Sequence, residues 1–122
     1  MTLALAQVVV DCEDAAGLAG FWSQVLERPV EDGASPFFAV IRPGAAGGPA
    51  FMFLKVEEPK QVKNRLHVDL VAPDWRAEVD RVLALGATKV AEFDEYGTQW
   101  TTLTDPEGNV FDIGVPHEDQ PQ

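Results

Sequence analysis

Apolar and polar positions along this chain follow two periods, and the switches between them lay out its elements. Leu3 to Asp11 is an apolar run rich in valine, broken by Gln7, and reads as a buried strand. Asp14 stands where a helix N-cap belongs. Leu18, Phe21, Trp22, Val25 and Leu26 then recur at helical spacing, which predicts a helix from about Ala15 to Leu26 that Pro29 prevents from continuing. Short strands are expected at about Val30, at Phe37 to Arg42 and at Ala50 to Val56, the last two joined by the glycine-rich Pro43 to Pro49. That loop lies between strands and lacks the helix and lysine of a phosphate cradle.

Glu57 to Asn64 is polar, carries Pro59, and reads as a linker. From Leu66 to Val71 apolar and polar residues alternate as in a half-buried strand, with His67 and Asp69 on one face and Leu66, Val68 and Leu70 on the other. Asp74 is expected to cap a helix from about Trp75 to Leu85, with Trp75, Val79, Val82 and Leu83 as its stripe and Gly86 at its C-terminal end. Strands near Thr88 to Phe93, Gln99 to Thr104 and Val110 to Val115 follow. The turn before the last strand, Asp105-Pro106-Glu107-Gly108-Asn109, has proline at its second position and glycine where a positive φ is wanted. The polar tail from Pro116 is expected to fray, leaving His117 solvated.

The two halves repeat at a lag of sixty residues, which lays Gln7-Val8-Val9-Val10 over His67-Val68-Asp69-Leu70 and Asp14 over Asp74. Strand, capped helix and a run of strands occur twice. A unit this long indicates paired supersecondary modules rather than a solenoid, which needs at least about three shorter units. The expected site of function is the groove between modules.

Composition narrows the function classes. At 122 residues and 46% hydrophobic content the chain suits one domain. No run approaches the ~18 apolar residues that span a bilayer, and the opening MTLALAQVVV lacks the basic stretch of a signal peptide, so the cytoplasm is the expected compartment. Twenty acidic against nine basic residues give a net charge of -11. Such a charge repels phosphate backbones and anionic membranes, so neither nucleic acid nor a membrane is expected as partner; it favours solubility and would attract cationic small molecules. The single cysteine, Cys12, closes a strand with no activating base evident and is expected to be structural or incidental.

Four stretches carry a family likeness: Val8-Val9-Val10-Asp11 leading into Phe21-Trp22-Ser23-Gln24-Val25-Leu26; Glu58-Pro59-Lys60 with Lys63-Asn64-Arg65-Leu66-His67-Val68-Asp69-Leu70; Leu85-Gly86-Ala87; and Thr104-Asp105-Pro106-Glu107-Gly108-Asn109-Val110-Phe111-Asp112-Ile113. Through them the chain resembles the vicinal oxygen chelate superfamily, the glyoxalase, bleomycin-resistance and extradiol dioxygenase group. The resemblance covers nearly the whole chain and implies an α+β fold of two tandem βαβββ modules, about 1–58 and 65–116, whose mixed sheet curls around a central cleft. It further implies a small-molecule ligand and pairing as a homodimer, for which exposed edge strands give a physical reason.

Members that use a metal place ligands on the first and last strands of each module. By that resemblance the ligands here are Gln7, His67 and Asp112, with the fourth position falling at Met52 by the sixty-residue lag or at Leu54 through Glu58-Pro59-Lys60. Neither Met52 nor Leu54 binds a hard metal. An imidazole, a carboxylate and an amide oxygen hold one divalent ion such as Mn²⁺, Fe²⁺, Ni²⁺ or Zn²⁺ while leaving positions for substrate oxygens. The isomerase mechanism wants a carboxylate base at the metal, and only Asp112 remains for it, which argues against glyoxalase activity itself. Catalytic roles thus fall to Asp112 and His67, and Asp69 is an orienter of the imidazole, a lining residue or a solvent-facing strand carboxylate. Phe37, Phe53, Tyr96 and Trp100 are candidates for the cleft wall, where aromatic faces grip a planar ligand.

Two functions follow from the resemblance. One is a metal-assisted lyase, isomerase or dioxygenase acting on a small oxygenated substrate. The other is a metal-free binding protein of the bleomycin-resistance type that sequesters a cationic or aromatic compound. A vestigial interaction domain would instead show His67 packed against apolar neighbours with no cavity.

Overall fold

The computed structural model describes residues 2–45 and 47–116, so the tail with His117 lies outside the described residues. The chain divides into two units, Met1–Lys60 and Gln61–Gln122, with the break inside the polar segment expected as a linker. Unit one contains β1 (Gln7–Cys12), α1 (Ala15–Leu26), β2 (Phe38–Ile41) and β3 (Ala50–Lys55). Unit two contains β4 (Asp69–Val71), α2 (Trp75–Leu85), β5 (Thr88–Glu95), β6 (Thr98–Thr104) and β7 (Val110–Gly114).

The helices form where stripe and cap coincide. Asp14 accepts the backbone N–H of Gly17, and Ala15, Leu18, Ala19, Phe21, Trp22 and Val25 are buried on α1, which packs on β2 and β3. Trp22 meets Phe21 edge-on with centroids 5.5 Å apart. α2 buries Trp75, Val79 and Val82 and packs on β7. Asp74 precedes α2 without making a side-chain cap bond, while Gly86 ends the helix at φ 122°.

Each unit builds one sheet with the same topology. In unit one the order is β1-β3-β2, β1 and β3 being parallel, and in unit two it is β4-β7-β6-β5, β4 and β7 being parallel. The strand expected near Val30 is reduced to a bridge with Ile41, placing it beside β2 as β5 lies beside β6. Both sheets therefore run first, last, third, second, the pattern of a βαβββ module in an α+β fold.

The sixty-residue lag is also a register. Val9–Met52, Val10–Phe53 and Asp11–Leu54 are paired across β1 and β3, and Asp69–Asp112, Leu70–Ile113 and Val71–Gly114 are paired across β4 and β7. Each partner in the second set lies sixty residues after its counterpart in the first. Burial follows the same lag, since Ala15, Ala19 and Trp22 are buried like Trp75, Val79 and Val82.

Three strand expectations are corrected. β1 begins at Gln7 rather than Leu3 because its parallel partner begins at Ala50, behind Pro49, which offers no backbone donor. Nor is β1 buried on both faces: it is an edge strand, and Val9 is 46% exposed. β4 is three residues long rather than six. Its ladder opens where Asp112 N–H donates to the Val68 carbonyl at 3.1 Å. Upstream, the Asn64 side chain serves the edge of β7 in place of backbone: Val110 N–H donates to Asn64 Oδ1 at 2.7 Å, and Asn64 Nδ2 donates to the carbonyls of Val110 and Leu66 at 3.1 and 2.8 Å.

Candidate metal and small-molecule site

The sheet of unit two has two unlike faces because side chains alternate along each strand. Leu103, Phe111 and Ile113 are buried on one, together with Thr101. Asp69, Thr102 and Asp112 share the other, since Asp69 and Asp112 are cross-strand partners and so are Thr102 and Asp112. Two carboxylates side by side repel one another. The imidazole of His67, two residues before Asp69, lies between them.

His67 Nε2 is 3.1 Å from Oδ1 of Asp69 and 3.4 Å from Oδ2 of Asp112. The three side chains offer ligand atoms that all lie within 4.8 Å of one another. Asp112 is the least exposed, at 20% of its side chain against 41% for His67 and 56% for Asp69. Its other oxygen, Oδ1, accepts the Thr102 hydroxyl at 2.6 Å. Thr102 thereby fixes the carboxylate rotation that presents Oδ2 to the imidazole. His67 is exposed and polar-bonded rather than packed against apolar neighbours, so the arrangement of a vestigial domain is not the one observed.

Asp69 and Asp112 also line a cavity of about 260 Å³, with Leu70, Val71, Tyr96, Trp100 and Gly114 among its walls. Trp100 stacks on Phe93, its partner on β5, with centroids 5.0 Å apart and planes 18° apart. Gly114 is its partner on β7, and the close approach requires glycine: a Cβ there would lie 2.7 Å from Trp100 Cβ and 2.6 Å from the Gln99 carbonyl oxygen. Tyr96 and Gly97 form the two-residue tip joining β5 to β6, both with positive φ, 57° and 75°. This turn leaves Tyr96 93% exposed at the cavity margin. The turn before β7 is built as expected, with Asp105 Oδ1 accepting the N–H groups of Glu107 and Asn109 at 2.9 and 3.0 Å.

Of the residues expected from the sequence, His67, Asp69 and Asp112 form one cluster, and Asp69, Asp112, Tyr96 and Trp100 line one cavity. Gln7, Phe37 and Phe53 belong to unit one. Gln7 is exposed at the start of β1 and Phe37 is exposed just before β2. Phe53 is fully buried, and its ring is part of the core under α1. Cys12 is buried at the end of β1, with its thiol 3.5 Å from the Leu54 carbonyl oxygen. Thr102, Gly114 and Asn64 were not singled out as site residues by sequence reasoning, because each acts through a register partner distant along the chain.

Among the described residues, no helix is long and apolar enough to cross a membrane. No curated protein matches the chain by sequence. Solved structures do resemble it in fold. A glyoxalase/bleomycin resistance protein/dioxygenase family enzyme from Burkholderia phytofirmans PsJN is 21% identical with a TM-score of 0.75, covering 93% of this chain and 98% of that one. Lactoylglutathione lyase from Agrobacterium tumefaciens is 13% identical with a TM-score of 0.69, covering 97% of both. TioX from Micromonospora sp. ML1 is 18% identical with a TM-score of 0.65, covering 92% of this chain and 98% of that one. A family model described as a glyoxalase-like domain matches residues 7–114, spanning both units from the first strand to the end of the last. With paired βαβββ topology and that match, the chain belongs to the glyoxalase-like domain family, within the vicinal oxygen chelate group.

Proposed function

We propose that unit two binds a divalent cation through His67 and Asp112 and, with its help, acts on a small oxygen-bearing molecule held beside Trp100. The reaction would be of the lyase, isomerase or dioxygenase type. One observation carries this reading: the carboxylates within reach of His67 Nε2 are also walls of the cavity, so a cation bound there lies next to the space a small molecule would fill. An imidazole nitrogen with carboxylate oxygens suits Mn²⁺, Fe²⁺, Ni²⁺ or Zn²⁺, so the residues present fit the ion used by metal-dependent members of the family. When bound, such an ion supplies Lewis-acid polarisation of a substrate oxygen. The protein's own contribution is to hold the Asp112 carboxylate through Thr102, to orient an imidazole against it, and to offer Trp100 and Tyr96 as faces for the organic part of the substrate.

Elemental analysis of protein purified without a metal-affinity tag, beside His67→Ala, tests this. A stoichiometric transition metal lost in the variant is the expected result. No bound metal, even after incubation with Mn²⁺, Ni²⁺ and Zn²⁺, rejects the metal-assisted reading.

A second reading is supported by the cavity lining, which joins two carboxylates to Trp100 and Tyr96 and, among the described residues, includes no lysine or arginine. It is a metal-free binding protein for a planar aromatic cation, attracted by charge and gripped by stacking. Titration with ethidium in the presence of EDTA, with wild type and Trp100→Ala, decides it. Saturable binding weakened in the variant supports this function, and no saturable binding rejects it.

A further inference from the structure

We propose that Asp69 is itself a ligand of the cation, supplying within unit two the carboxylate that position 52 lacks. The inference rests on the metal reading above. It begins from the register, in which Met52 pairs with Val9 as Asp112 pairs with Asp69, sixty residues apart in both cases. Unit one therefore carries a thioether and an isopropyl group where unit two carries two carboxylates.

The placement of Asp69 suits that role. It opens β4 two residues after His67, and its Cα is the direct partner of Asp112 on the neighbouring strand. Donor atoms about 2.1 Å from a first-row dication stand about 3.0 Å apart at adjacent octahedral positions and about 3.4 Å apart at tetrahedral ones. The separations from His67 Nε2, 3.1 Å to Asp69 and 3.4 Å to Asp112, with all three ligand atoms within 4.8 Å of one another, are short enough for one ion to reach all three.

Two adjacent carboxylates with one imidazole carry surplus negative charge. Among the described residues neither Asp69 nor Asp112 is paired with a lysine or arginine. Asp69 is 56% exposed, so its contact with His67 contributes little to the metal-free fold, and this separates a ligand from a residue kept for structure.

The test is calorimetric titration of the full chain with Mn²⁺ for wild type, Asp69→Asn, Asp69→Ser, His67→Ala and Asp112→Asn, alongside urea unfolding of each metal-free protein. Both Asp69 variants are expected to bind Mn²⁺ roughly tenfold or more weakly. Their metal-free stability should be equal to wild type or higher. Wild-type affinity in both Asp69 variants, with binding lost in His67→Ala and Asp112→Asn, overturns the proposal and leaves the metal reading standing. Weaker binding accompanied by an equal loss of metal-free stability also overturns it, since Asp69 would then be structural. A wild type that binds none of Mn²⁺, Ni²⁺ and Zn²⁺ overturns both.

Discussion

Thr102 and Asp112 are partners on adjacent antiparallel strands, and the threonine hydroxyl donates to Asp112 Oδ1 at 2.6 Å while Oδ2 turns toward His67. The bond decides which oxygen is free. Thr102→Val keeps the side-chain volume and removes the donor, so the carboxylate can rotate and part of its charge is left unsolvated. The expected result is Mn²⁺ affinity lower by about tenfold, with about 1 kcal/mol of stability lost. Thr102→Ser should restore both. Calorimetry and urea unfolding on the three proteins check this, and an unchanged affinity in Thr102→Val would show that Asp112 needs no such support.

Trp100 keeps its place through Gly114. A methyl group there would meet the Gln99 carbonyl and Trp100 Cβ, both under 3.0 Å away, and neither is the far end of a flexible side chain. Gly114→Ala should therefore cost about 1–3 kcal/mol, the usual range for overpacking, and alter tryptophan fluorescence as the indole shifts against Phe93. Urea unfolding followed by fluorescence reads both quantities. Full stability in Gly114→Ala would mean that the strand slides to make room.

The helices were legible because their apolar stripes, caps and terminators agree; α1 and α2 begin and end where Asp14, Pro29, Asp74 and Gly86 placed them. The lag of sixty was legible in outline, and only the strand register showed that Met52 rather than Leu54 answers to Asp112. His67 and Asp112 stood out through the family's pattern, and Asp69 through strand alternation. The start of β4 was hidden, because hydrophobic alternation from Leu66 cannot reveal that a side chain in the linker takes the last strand's hydrogen bonds. Val9 looked buried for a related reason: a valine run does not say whether its strand lies at the centre or the edge of a sheet.

Asn64 makes three bonds around Val110 and Leu66 and anchors the segment that leads into His67. Asn64→Ala leaves the Val110 N–H without its protein partner. A loss of about 1–3 kcal/mol follows, the cost of an unpaired donor in a half-buried position. Asn64→Asp keeps the acceptor and loses the donor, so it should fall between. Hydrogen exchange at the Val110 amide gives a local reading: it should quicken in Asn64→Ala and remain slow in Asn64→Asp. Equal exchange in all three proteins would show that the ladder holds without the amide.

Phe37 and Phe53 looked alike in the sequence, both apolar aromatics on the strands of the first module. The structure separates them, with Phe37 68% exposed and Phe53 at 0%. Phe53, like Leu18 and Ile41, is among the most buried side chains of unit one, so Phe53→Ala opens a cavity in a close-packed core. The expected loss is about 3–5 kcal/mol, a large part of the ~5–15 kcal/mol that holds a domain together. Phe37→Ala removes a ring already in water and should change stability by no more than about 0.5 kcal/mol. If Phe37 meets a ligand its truncation will show in affinity instead, so both variants belong in the ethidium and Mn²⁺ titrations as well as in urea. A fall in ligand affinity for Phe37→Ala at unchanged stability would assign it to a binding surface. A large stability loss in that variant would mean that the ring is covered in solution by a contact that a single chain does not make.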